Sequence, residues 1–312
     1  MHIHRAPFVR LVTCVAVLLA CGLRSANAET QQRPDTRAES PADRLFVAAQ
    51  QAYEEADIAL QNYRKLESQP MSVEELRKAP TQKQLADRKR QAEYRHQREL
   101  ALILAADSFE SLVAKYPKFA RADEVLFKLG RCKRNIFEGS AEGDAYIAAH
   151  PLDYQHFEGA GTEYTGRQFR QLLQMYPRSR FAMEAAFELT SITRAGEIAE
   201  CETRACALQK VLDRFEVFLT KYSGSEHVRS AIKEINGSID PSRGLPGAGD
   251  ELSVPNGGPG RQQFLFQLNR YRTLTKMLAR QDRTAAATAI GTAYQKVGEA
   301  QLARETISEL RR

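Results

Sequence analysis

The chain has 312 residues, 45 of them Lys or Arg and 39 Asp or Glu, giving a formal net charge of +6. Hydrophobic residues make up 43%, Trp is absent and mean hydropathy is −0.48, as in an ordinary foldable chain of one large or two modest domains. This balance excludes collagen, a disordered polyampholyte, a disulfide-dense miniprotein and a polytopic membrane protein.

Residues 1–28 read as a signal peptide. Arg5 and Arg10 precede the apolar run Leu11 to Ala20, and Ala26-Asn27-Ala28 supplies a small-residue cleavage site before Glu29. The run is shorter than the ~20 residues of a spanning helix. Leu18-Leu19-Ala20-Cys21-Gly22 offers a second exit, since it resembles a bacterial lipoprotein box with Cys21 as the lipid attachment point. One route leaves a periplasmic protein starting at Glu29; the other leaves an outer-membrane-anchored lipoprotein. Loss of residues 1–28 removes Arg5, Arg10 and Arg24 and no acid, so the net charge falls from +6 to +3. A charge so nearly balanced argues against nucleic acid as a partner, and the membrane is reached only through a lipid anchor.

Residues 29–43 lack a large apolar side chain and read as a disordered spacer. From Arg44 a helical spacing begins, with Phe46, Ala49, Ala52, Tyr53 and Ala56 three or four apart. Pro70 and Pro80 bound a break over 68–81. Gln82 to Lys115 then predicts one long helix, charge-laced in its first half and apolar in its second.

A repeat follows. Phe109, Phe169 and Phe215 each stand seven residues before a tyrosine, in Tyr116-Pro117, Tyr176-Pro177 and Tyr222-Ser223. Beyond each pair the small and apolar positions coincide: Ala122, Val125, Leu126, Leu129; Ala182, Ala185, Ala186, Leu189; Val228, Ala231, Ile232, Ile235. Each copy is the end of one helix, a turn and the start of the next, since Pro disfavours helix in the residue before it. The expectation is an all-α domain over 44–236, with Phe109, Tyr116, Leu129, Phe169, Tyr176, Leu189, Phe215 and Ile235 buried between helices. A two-helix unit cannot bury both faces alone, so neighbours must stack.

Ala105, Phe109 and Pro117 fit the frame of a tetratricopeptide repeat, and so do Ile290-Gly291, Tyr294, Gly298, Ala303 and Ile307 near the C-terminus. The form F-x6-Y-P before an Ala-rich helix resembles the repeats of two bacterial envelope families. These are the outer-membrane lipoprotein of the β-barrel assembly machinery and the periplasmic coordinator of the Tol–Pal system. The resemblance covers roughly 100–236 and 284–312. It implies a tetratricopeptide-like helical-hairpin solenoid, without cofactor or catalysis, whose partner is another envelope protein or peptide.

Gly237 to Gly260 is rich in Gly and Pro and reads as a linker in which neither helix nor strand persists. Beyond it, 261–312 reads as a C-terminal helical segment, with helices over 262–281 and 284–312, the latter turning near Gly298. Of the cysteines outside the leader, Cys132 falls on an apolar helix face and reads as a buried thiol. Cys201 and Cys206 are five apart and would diverge on a continuous helix, so a disulfide between them requires a turn over 200–205.

Residues 135–166 carry six acids and no Lys or Arg, together with Phe137, Tyr146, Tyr154, Phe157, Tyr164, His150 and His156. Much of this stretch is inserted relative to the repeat frame. Two readings stand: the insertion folds back on the basic remainder, or it presents an acidic surface to a basic partner with Tyr146, Tyr154 and Phe157 as anchors. His150, Asp153 and His156 match no established metal spacing. The sequence has no nucleophile elbow, phosphate-binding glycine loop or paired-cysteine zinc pattern.

Overall fold

The computed structural model describes residues 40–67, 81–158, 161–192, 201, 203–239 and 259–311. The signal peptide with Cys21, most of the 29–43 spacer, the 68–80 break and residues 240–258 lie outside the described residues. Among the described residues the architecture is all-α apart from one short hairpin. Its elements are α1 (Pro41–Glu67), α2 (Gln82–Lys115), α3 (Ala122–Asn135), α4 (Ala141–Ala149), β1 (Tyr154–Phe157), β2 (Gly161–Tyr164), α5 (Arg167–Met175), α6 (Ala182–Thr190), α7 (Arg204–Lys221), α8 (Val228–Ile239), α9 (Pro259–Thr275), α10 (Arg280–Lys296) and α11 (Ala300–Arg311). Among the described residues no helix is long and apolar enough to cross a membrane.

Helix starts follow local chemistry. Pro41 opens α1, where its missing N–H costs nothing, and the Asp43 amide donates to Ser40 Oγ at 3.1 Å. Helix therefore begins inside the expected spacer. Thr81 and Gln84 form a reciprocal capping box at the start of α2.

Helices pack largely in chain order: α1 on α2, α2 on α3, α3 on α5, α5 on α6, α6 on α7, α7 on α8. Two cores result. The first gathers Phe46, Leu102, Phe109, Leu126, Leu129 and Phe169 from α1, α2, α3 and α5. The second gathers Leu212, Phe215, Ile235, Tyr271 and Tyr294 from α7 to α10. Helix α6 serves both, with Ala182 and Ala185 in the first and Met183 and Phe187 against the second.

The three repeat turns carry the same hydrogen bonds. The tyrosine amide donates to the carbonyl four back, the amide three on donates to the tyrosine carbonyl, and the amide three further donates to that residue's carbonyl. Tyr116, Phe119 and Ala122 form one set, Tyr176, Ser179 and Ala182 the next, and Tyr222, Ser225 and Val228 the third, all at 2.7–3.2 Å. Backbone angles agree: φ is −131°, −131° and −126° at the three tyrosines. The third copy keeps the turn with Ser223, so Pro is not required for it. Phe109, Leu129, Phe169, Phe215 and Ile235 are buried, while Tyr116, Tyr176 and Leu189 are half-buried, because the tyrosines cap helix ends at the surface.

The linker boundary needs correction. Helix α8 runs through Gly237 to Ile239, because Ile239 is buried in the second core and Asn236 accepts from the Tyr271 hydroxyl at 2.9 Å. Tertiary contacts there outweigh the ~1 kcal/mol cost of a helical Gly. The C-terminal helices dock on the repeats. Arg270 of α9 pairs with Asp213 of α7 at 2.5 Å and also with Glu216, and α10 packs on α8. The break falls at 276–279, ahead of the expected position. At Gly298 the chain turns with φ +83°, and Gly291 lets α11 approach so closely that a Cβ there would lie 2.6 Å from Ile307.

Candidate functional site

The insertion is structured and tied to α2, α3 and α5. Helix α4 lies on α2, ends at His150-Pro151 with φ −123° and ψ 55° at His150, and Asp153 N donates to the His150 carbonyl at 3.0 Å. This resembles the Tyr-Pro turns in its backbone angles and in the bond three residues on, but the His150 amide donates to the Ile147 carbonyl three back rather than four. Here the chain leaves the turn as β1 and returns as β2, in antiparallel register with Tyr154 opposite Tyr164.

Beneath it lies a buried ionic network. Lys133, on the apolar face of α3 four residues after Leu129, is 0% exposed. Its ammonium contacts Glu110 Oε1 of α2 and Asp153 Oδ2 of the insertion. Asp153 also accepts from Gln168 Nε2 at 3.2 Å. The Tyr154 hydroxyl donates to the Lys133 carbonyl at 2.9 Å, and the Tyr164 hydroxyl donates to Gln168 Oε1 at 2.6 Å. Burial pushes the Tyr146, Tyr154 and Tyr164 hydroxyls well above the usual phenol range, so all three remain neutral donors. Partial desolvation at its base and the neighbouring Glu110 charge raise the Asp107 carboxyl, although the residue is exposed to solvent.

The partner-anchor reading of Tyr146 and Tyr154 is corrected by this packing. They are only 6% and 7% exposed, with rings edge-on to each other at 6.5 Å, and a partner could reach them only by displacing the insertion. Phe157 is half-buried on the hairpin. Three of the six acids accept hydrogen bonds within the fold. Glu138 accepts from the Thr162 amide at 2.9 Å, Asp144 from the Gly139 amide at 2.9 Å, and Asp153 from Lys133. Folding back on a basic group describes the insertion.

His150, Asp153 and His156 do not converge. Asp153 is taken by Lys133, and His156 lies exposed against Thr162. His150 instead meets Glu110, 40 residues away in sequence. Glu110 and Lys133 were the members not singled out from sequence, although a Lys at the fourth position after Leu129 is a charge in a core register.

A further concavity lies elsewhere. A groove of about 940 Å³ runs between α8 and α10. Ile232, Ile239 and Ala293, which belong to the second core and are at most 2% exposed, back its apolar wall with the half-buried Ala289, while Arg229, Lys233, Gln281 and Asp282 supply polar groups. Arg229 lies 3.9 Å from Asp282 across it.

Cys201 and Cys206 are disulfide-bonded, with Cα atoms 5.6 Å apart. Thr203 caps α7 by accepting from the Cys206 amide at 3.1 Å, so Cys201 stands outside the helix and can reach its partner. Closing so short a loop contributes about 2 kcal/mol in the chain-entropy description. Cys201→Ser should lower unfolding stability by about that amount in urea titration; an unchanged midpoint would show the bond to be energetically idle. Cys132 is a buried free thiol, raised far above its ordinary range by burial, and therefore unreactive.

Comparison with protein-family models, curated proteins and solved structures finds no match for this chain.

Proposed function

We propose that the chain is an exported, non-catalytic scaffold, a tetratricopeptide-like solenoid that holds another protein or a peptide segment of the bacterial cell envelope. Outer-membrane protein assembly is the role we favour. The F-x6-Y-P form is equally similar to the Tol–Pal coordinator, which gives a second reading, regulation of envelope constriction or peptidoglycan hydrolysis. Support for a scaffold comes from the three turns with one hydrogen-bond pattern, since stacked helical hairpins act by offering surfaces. The observation that carries the reading is the α8–α10 groove, whose apolar wall and polar rim suit an unfolded or helical segment. Chemical crosslinking in intact cells, followed by purification, should recover a discrete envelope partner. Ala289→Arg, which fills the groove, should abolish its capture while leaving the circular dichroism unchanged. Undiminished capture by that folded variant would remove the groove from the account. The identity of the partner separates assembly from constriction.

A further inference from the structure

Asp107 and Glu110 stand one turn apart on α2, and α4 brings His150 to the same place. A carboxylate oxygen from each acid and a ring nitrogen of His150 all lie within 4.8 Å of one another. His150 Nδ1 is 2.7 Å from the Tyr146 carbonyl, and its Nε2 is 3.1 Å from Glu110 Oε2. A carbonyl oxygen cannot donate, so Nδ1 must carry the proton of that contact. In a neutral ring, Nε2 then turns a lone pair towards a carboxylate. Two acceptors in contact call for a positive charge between them. The bond from Nδ1–H to a backbone carbonyl is also the one that orients imidazoles bound to metals through Nε2. Lys133 occupies Glu110 Oε1, which leaves Oε2 for the cluster.

An independent feature points the same way. Tyr146 is 94% buried, being 6% exposed, and stacks on the His150 ring with centroids 4.0 Å apart. Among the described residues its hydroxyl has no hydrogen-bond partner, yet it lies in the field of the Glu110 and Asp107 carboxylates. A buried hydroxyl without a partner, on a ring stacked against the His150 imidazole, is a place for a bound ion's water.

We propose that Asp107, Glu110 and His150 bind a first-row divalent cation, with Zn²⁺ as its probe, and so clamp the inserted helix α4 to α2. One imidazole and two carboxylates are a fitting donor set, with water completing the shell. Donors about 2.1 Å from an ion stand ~3.4 Å apart, so Asp107, the exposed member, turns inward on binding. The alternative arrangement is a doubly protonated His150 paired with Glu110.

Calorimetric titration of the metal-free full chain with Zn²⁺ separates the two. One saturable site is expected, together with a higher unfolding temperature in Zn²⁺ than in chelator. Asp107→Asn and His150→Gln should each weaken binding at least about tenfold, and His156→Gln should leave it unchanged. Because Asp107 is exposed, its variant should retain the wild-type circular dichroism in chelator, so it decides the matter even if His150→Gln fails to fold. Absence of saturable binding in the wild type overturns the proposal. So does equal affinity in the wild type and Asp107→Asn, or loss of binding in His156→Gln.

Discussion

Lys133→Ala should destabilise the protein by about 3–5 kcal/mol in urea unfolding, the usual cost of removing one partner from a buried ionic group. The ammonium is 0% exposed and joins two carboxylates from different parts of the chain, Glu110 and Asp153. Its loss takes the ammonium from both carboxylates, leaving Asp153 with Gln168 at 3.2 Å and Arg167 at 3.6 Å and the half-buried Glu110 with His150 at 3.1 Å. Lys133→Met, although it fills much of the same volume, should not recover the stability, because both carboxylates still lack the ammonium. Adding Glu110→Gln and Asp153→Asn should recover most of it, since an uncharged network needs no counter-ion. A deficit below about 1 kcal/mol would mean that solvent reaches the site freely.

Phe169→Ala should cost a comparable amount, about 3–5 kcal/mol, for loss of apolar burial and the cavity left behind. The ring is fully buried, lies 5.9 Å from Phe127 and 6.0 Å from Tyr164 between ring centres, and fills the space above Gly130. A Cβ on Gly130 would lie 2.7 Å from it. Gly130→Ala should therefore overpack the α3–α5 contact by roughly 1–3 kcal/mol. The two sites share one space, so Gly130→Ala with Phe169→Leu should cost less than the sum of the single changes. Strict additivity would indicate that helices α3 and α5 do not approach at Gly130.

How much of this was legible depended on sequence distance. The repeat turns could be read because every bond in them is local: Phe to Tyr spans seven residues, and the apolar register follows at helical spacing. The same locality made Gly298 and the small residue Gly291 readable. Long-range partners left no such trace. Glu110 meets His150 across 40 residues and Lys133 meets Asp153 across 20, and no periodicity reports which charges a fold will bring together. Composition misled at Gly237, where a Gly-Pro-rich stretch predicted a break but Ile239 and Asn236 hold the helix in tertiary contact. It also left open whether Tyr146 and Tyr154 are surface anchors or fold back. Aromatics among acids suggest an exposed patch until a buried Lys133 shows where an acid is used. The His150-Pro151 turn was readable in principle, because Pro151 follows a helix end as Pro117 and Pro177 do.

The Phe-x6-Tyr segments are one structural unit used three times. Hydrogen exchange of the full chain, resolved to single amides, tests it most directly. The turn amides of Tyr116 and Phe119, Tyr176 and Ser179, and Tyr222 and Ser225 all donate to carbonyls, so they should be protected at equivalent places in all three copies, against a background of fast-exchanging loops. Protection in one copy with free exchange at the matching amides of the other two would contradict it.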